Sequence, residues 1–283
     1  MQKNAPDFIG IGADHAGLGI ITKLLAAHPA IASEIPSCRF FNQTIDLTDE
    51  LLAAYEAQLP PLEKKHRLRG ECSAEYLTAP AAAERIVNAY PTAKLFVIVR
   101  HPIDRAVAVY EQAKQAGRVP HGTTCAEYLL GHPVVQTDGF YGHYLSAYFS
   151  YYTALQLYTI VYEDFVQNPL KVIQELYAFL EVDAHFVPKA LAAYAPPEDA
   201  PINPGRLTRL FRFIGTKIKK LRTKANVPIT PPLYDLAHFF SAEELAVFTA
   251  AYVPDSAQLT NIMHRDMGVF WNLVPVPEEE SAR

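Results

Sequence analysis

The sequence predicts an α/β fold in which a central parallel sheet is covered by helices on both faces. Three observations carry this. Short strand-like runs at residues 8–12, about 68–72, 95–100 and 158–162 are each bounded by turn or helix signals. Segments of helical periodicity alternate with them, which is the order that lays strands side by side in parallel. The first run also enters a glycine-rich turn that opens a helix, a connection typical of such sheets.

The helical segments follow in order. Residues 17–27 end at His28-Pro29, and residues 47–58 follow Asp46 with Asp49 and Glu50 in a first turn that favours negative charge. Residues 80–90 and 102–116 each open on a proline, whose missing N–H costs nothing there. Residues 139–154 and 169–180 complete the alternation. From about Phe186 onward strands stop and short helices dominate. One domain over 1–273 is expected, with 274–283 a disordered tail.

At 283 residues and 50% hydrophobic, the chain can bury a full core in one large domain. A net charge of −5 argues against a general nucleic-acid binder. The three cysteines, Cys38, Cys72 and Cys125, have no metal-ligand spacing, so neither a zinc site nor a disulfide framework is expected. The first seven residues lack an apolar core, and no run approaches the roughly 18 residues of a membrane span. A cytoplasmic protein is the expectation.

Two segments point to anion binding. The turn Gly12-Ala13-Asp14-His15-Ala16-Gly17-Leu18-Gly19 places backbone N–H groups and the positive end of a helix where a phosphate can sit. The run at 95–100 delivers Arg100, a planar fork matched to phosphate, to a strand's C-terminal edge. A third segment, 206–224, holds eight basic residues and no acidic one. Leu207, Leu210, Phe211, Ile214, Ile218 and Leu221 fall on one face of a helix there, so it reads as a packed surface helix, an anionic-substrate lip or a membrane-surface helix.

Together these segments resemble the sulfotransferase family, which uses 3′-phosphoadenosine 5′-phosphosulfate and typically reads Gly-x-x-Lys-x-Gly-Thr-Thr and then Arg-x-Pro-x-x-Arg-x-x-Ser. Phe40-Phe41, Gly70-Glu71-Cys72-Ser73-Ala74-Glu75-Tyr76-Leu77, Tyr162-Glu163-Asp164-Phe165 with Pro169, and Asp266 to Trp271 are similar to further family segments in the same order. The resemblance spans nearly the whole chain and implies a P-loop-containing sulfotransferase-like fold.

It also implies roles. Gly12, His15, Ala16, Gly17, Leu18 and Gly19 would cradle the 5′-phosphate, Arg100 the 3′-phosphate, and Arg206 would lie in a loop covering the nucleotide. His15 stands at the family's lysine and would be the cation at the bridging oxygen. Glu34 or Glu71 would be the base, since the family glutamate falls on Ser37. Leu18 and Gly19 replace two threonines, Ala108 a serine and Cys72 a second lysine. Arg105 is expected to close a salt bridge, for instance with the 162–164 turn.

The acceptor implied is a hydroxyl or amine of a small molecule, lipid or saccharide, with no metal and no nucleic acid involved. Such departures also fit a second reading, a binding or scaffolding protein that kept the fold and lost the reaction. A nucleotide kinase is excluded, because Gly17-Leu18-Gly19 offers neither lysine nor hydroxyl.

Overall fold

Four parallel strands form the sheet in the order β2-β1-β3-β4: β1 (Phe8–Gly10), β2 (Gly70–Cys72), β3 (Lys94–Val99) and β4 (Leu157–Val161). The computed structural model describes residues 4–32, 34–43, 46–194 and 233–273. Every residue of β1 and β2 is buried, as is β3 from Leu95 onward; β1 and β3 read accordingly as apolar or small, whereas β2 buries Glu71. Pairing with β3 continues beyond β1: the N–H groups of Ile11 and Ala13 donate to the carbonyls of Phe96 and Ile98, at 2.9 and 2.8 Å.

From β1 the chain passes to β2 on one side, then returns to β3 on the other. The β1/β3 boundary is therefore the point where strand order reverses, the crevice where ligands settle in open α/β sheets. The loop after β1 and Arg100 both lie at that boundary, at the carboxyl ends of their strands.

The helices connecting the strands are α1 (Leu18–Ala26), α2 (Asp49–Glu56), α3 (Ala82–Ala89), α4 (Pro102–Gln115), α5 (Cys125–Gly131), α6 (Pro133–Thr137), α7 (Tyr141–Phe149), α8 (Tyr162–Gln167) and α9 (Pro169–Phe179). Thr48, not Asp46, caps α2, its side chain accepting from Leu51 N–H. Two short helices, α5 and α6, fill the segment between α4 and α7, the first started by a reciprocal Thr124–Glu127 capping box. The expectation of short helices past Phe186 is corrected by a 22-residue helix, Ala242–Met263, whose Ser241–Glu244 pair makes the same box.

That helix and the segment after it brace the site from behind. Asp255 accepts from the N–H groups of Gly142 and His143 at 2.9 and 2.7 Å, capping α7 across the structure. Trp271 donates from Nε1 to Glu163, whose other oxygen accepts from His101 N–H, and His101 Nε2 lies 2.9 Å from the Trp271 carbonyl oxygen. Two of the family-like segments, around Glu163 and Trp271, are thus tied to the residue immediately after Arg100. Arg206, the basic segment 206–224 and the tail 274–283 lie outside the described residues. No helix among the described residues is long and apolar enough to cross a membrane.

Candidate functional site

The loop after β1 is shaped by two glycines that nothing else could replace. Gly12 has φ +147°, and a Cβ there would stand 2.8 Å from the Leu77 Cβ. Gly17, at φ +103°, is the residue before α1, and its Cβ would meet the Tyr162 ring at 2.9 Å. Gly19 faces open space. No side chain caps α1 and no acid occupies its first turn. Among the described residues, the N–H groups of Gly17, Leu18 and Gly19 have no acceptor, whereas that of Ala16 bonds the Ala13 carbonyl at 3.3 Å. A first turn left open in this way is an anion cradle.

Arg100 lies against that loop. Its Nη1 donates to the His15 carbonyl oxygen at 3.2 Å, and its Nε donates to Asp104 one turn along α4. The guanidinium carbon sits 4.8 Å from the centre of the Tyr162 ring and 5.6 Å from that of Tyr234. The side chain is fully buried, and Asp104 also accepts from Tyr234 N–H at 2.6 Å. Arg100 is therefore both an interior ion-pair arginine and a neighbour of the loop. Ala108, one turn beyond Asp104, brings no hydrogen-bonding side chain.

His15 lies between two partners. Its Nε2 is 2.7 Å from Gln112 Oε1 on α4, and its Nδ1 is 3.0 Å from Asp14 Oδ2. The second approach is an ion pair too bent to be a directional hydrogen bond. Burial opposes protonation of the ring, but the Asp14 carboxylate and then Gln112 outweigh it, and the pKa is raised above 6.5. Asp14, though exposed and half paired, is correspondingly held below the usual carboxylate value. Burial raises it, but the contact with His15 prevails.

The structure places the two candidate bases in opposite settings. Glu71 is fully buried and accepts from Tyr76 OH and Ser73 Oγ at 2.7 Å each and from Cys38 N–H at 2.9 Å, so no acceptor group can touch it. Burial pushes its carboxyl up, against the pull of those donors. Glu34 is exposed, and no hydrogen bond or ion pair among the described residues joins it to the loop or to Arg100. The structure supplies instead what the sequence could not: exposed Ser37 makes a long 3.4 Å contact with Ser73 Oγ, which donates to Glu71. Ser73 in turn is fixed by its own N–H on the Gly10 carbonyl, 2.9 Å away, beside the loop.

Arg105 also departs from expectation. It is 1% exposed, donates to the Val135 carbonyl and forms no salt bridge among the described residues. The acids of the 162–164 turn are already engaged, Glu163 by His101 and Trp271 and Asp164 by Arg265. Cys72, where the family has lysine, is a buried thiol pushed up to about 12 by desolvation, so it is neither cation nor nucleophile.

Comparison with known proteins agrees with this geometry. The family model described as "Sulfotransferase family" matches residues 72–186. The bifunctional heparan sulfate N-deacetylase/N-sulfotransferase of Drosophila melanogaster is 26% identical over 210 residues, which are 62% of this chain and 20% of that protein. The membrane-associated sulfotransferase kil1 of Dictyostelium discoideum is 30% identical over 106 residues, 37% of this chain and 22% of that one. The chain thus spans about a fifth of the length of these curated relatives.

Among solved structures, a sulfotransferase from Alicyclobacillus acidocaldarius superposes with a TM-score of 0.63 at 22% identity, covering 95% of this chain and 99% of that one. Mouse sulfotransferase SULT7A1 complexed with PAP gives 0.53 at 16% identity, covering 94% and 87%. These likenesses show the fold. The family model over residues 72–186 and the sequence relatives make the chain similar to sulfotransferases beyond the fold.

Proposed function

We propose that the protein binds 3′-phosphoadenosine 5′-phosphosulfate across the β1/β3 boundary and transfers its sulfuryl group to a hydroxyl or amine. One observation carries this reading: the open first turn of α1, with the Leu18 and Gly19 amides unpartnered, follows directly on the loop in which the Arg100 guanidinium holds the His15 carbonyl oxygen. The amides suit the 5′-phosphate and Arg100 the 3′-phosphate, for which the buried guanidinium must be uncovered. His15 supplies positive charge near the bridging oxygen, where negative charge grows in the transition state. The mouse neighbour's complex with PAP supports the choice of nucleotide.

In the reaction the acceptor oxygen or nitrogen attacks sulfur, the sulfur–oxygen bond to the 5′-phosphate breaks, and adenosine 3′,5′-bisphosphate leaves. The acceptor proton passes to Ser37 Oγ as the Ser37 proton moves to Ser73 and the Ser73 proton to Glu71. The 3.4 Å hydroxyl contact must shorten for this relay to run. The name of the Drosophila heparan sulfate relative makes a saccharide amine or hydroxyl one acceptor class to try, beside small molecules and lipids.

A binding-only reading is favoured by a different observation, that Cys72 and Ala108 leave two expected polar contacts without a donor. Incubating the full chain with the sulfate donor and a panel of hydroxyl and amine acceptors separates the two. Release of adenosine 3′,5′-bisphosphate coupled to acceptor sulfation supports transfer. Saturable binding without release supports the binding protein, and no binding overturns both.

A further inference from the structure

Both ring nitrogens of His15 face oxygen acceptors. Gln112 Oε1 lies 2.7 Å from Nε2, and Asp14 Oδ2 lies 3.0 Å from Nδ1. A neutral imidazole has one N–H and one lone pair, and would leave a lone pair facing one of those oxygens. With Gln112 Oε1 turned toward Nε2, only the imidazolium puts an N–H toward both, the one on Nδ1 in an ion pair with Asp14 and not in a directional hydrogen bond. The backbone is committed to the same arrangement: His15 sits at φ +58°, and its N–H donates to the other oxygen of Asp14 at 2.9 Å. The surroundings include an opposing cation, buried Arg105 on α4, and a further acid, Asp138, which the ring also feels.

We propose that Asp14 and Gln112 are positioning residues that hold the His15 ring as an imidazolium, with Asp14 the counter-ion that an incoming phosphate or sulfuryl oxygen replaces. The proposal rests on the nucleotide-site reading for the last clause only. The two partners are unequal by construction. Gln112 makes the short hydrogen bond from a helix, and it is neutral, so it fixes the ring without discharging it. Asp14 is 64% exposed and its contact is bent, so it is the partner that yields. Its charge has two opposed effects: it favours the proton on His15, and it repels an anion arriving at the Leu18 and Gly19 amides.

The clamp explains how this chain dispenses with the lysine its relatives place in the loop. A lone histidine would lose its charge near neutral pH, whereas one facing a carboxylate and an amide oxygen keeps it. Because one N–H must turn from Asp14 to the substrate, the exchange also ties cation delivery to the arrival of the anion.

The test uses the full chain and two substitutions at exposed positions, Asp14→Asn and Gln112→Leu. Nuclear magnetic resonance titration of the His15 ring protons, assigned by their loss in His15→Gln, gives the midpoint in each protein. The wild-type midpoint should lie above that of an unperturbed histidine, and Asp14→Asn should lower it. Gln112→Leu should lower it less and broaden the ring signals. A wild-type midpoint at or below the unperturbed value, or one unmoved by Asp14→Asn, overturns the clamp.

Calorimetric titration with adenosine 3′,5′-bisphosphate below the midpoint tests the counter-ion. Asp14→Asn should bind about twofold to fivefold tighter, the range for loss of one exposed charge interaction. Equal or weaker binding overturns that role. Absence of binding to either protein overturns the nucleotide site and the counter-ion role together, while the midpoints alone judge the clamp.

Discussion

The Nη1 of Arg100 donates to the carbonyl oxygen of His15 across 3.2 Å, joining the end of β3 to the loop after β1. This bond brings the two anion-binding segments of the sequence into one place, and it fixes the loop's shape from the side opposite α1. Arg100 is thereby part of the scaffold as well as of the site. Replacing it with alanine leaves Asp104, only 3% exposed, without its guanidinium. Arg100→Ala should therefore destabilise the fold by about 3–5 kcal/mol, and Arg100→Ala with Asp104→Ala should recover part of that loss. Urea unfolding of both proteins measures it; an unchanged midpoint in Arg100→Ala would show that the ion pair is not held in solution.

Gly17 and Gly19 should respond in opposite directions. Alanine at 17 meets the Tyr162 ring at 2.9 Å with φ +103°, and should cost about 1–3 kcal/mol. Alanine at 19 enters open space in a helical first turn and should stabilise by about 0.4–1 kcal/mol. The same openness makes Gly19→Thr the clean way to restore a family hydroxyl, and it should tighten nucleotide binding. Leu18→Thr puts a hydroxyl into a core position that is only 8% exposed, and should destabilise. Melting curves with and without nucleotide distinguish the four.

Buried His28 and half-buried His101 should make the protein acid-sensitive. His28 accepts from Ala30 N–H through Nδ1, and His101 accepts from Asp104 N–H through Nδ1. Burial lowers the pKa of each below 6.5. The unfolded chain then takes up protons first as pH falls, so stability should drop below about pH 6.5 and continue to drop toward the lower folded values. Urea unfolding at several pH values between 5 and 8 should show this slope, and His101→Gln should flatten it.

Glu71 contributes with the opposite sign. Burial raises its pKa, so the folded state keeps the proton longer and stability should fall as pH rises from about 4.5 through the folded value. Glu71→Gln should remove that dependence. Glu71→Ala strands the Tyr76, Ser73 and Cys38 donors and should cost about 3 kcal/mol or more. A Glu71→Ala protein as stable as wild type would remove the buried carboxylate from the account.

The sheet was legible because its strands are buried on both faces and leave uninterrupted apolar runs, and because Gly12 and Gly17 sit where no side chain fits. The loop and Arg100 were legible for the same reason, each following directly from a strand. Asp14 and Gln112 were not, because their meaning depends on α4 folding back over the loop, a contact across 97 residues that no local pattern encodes. The burial of Glu71 was hidden for a related reason. A glutamate beside a strand end reads as solvated until Tyr76 and the 38–40 segment are packed over it. Helix Ala242–Met263 was underestimated because its internal Pro254 reads as a break.

Titration of the full chain with adenosine 3′,5′-bisphosphate, followed through the backbone amide resonances, tests the central claim most directly. The account predicts saturable binding with the largest shifts at the Leu18 and Gly19 amides and the Arg100 side chain. It also predicts about 2.7 kcal/mol of added stability at a hundredfold excess over the dissociation constant. No saturable binding at millimolar ligand, or shifts that spare Leu18 and Gly19, would contradict it.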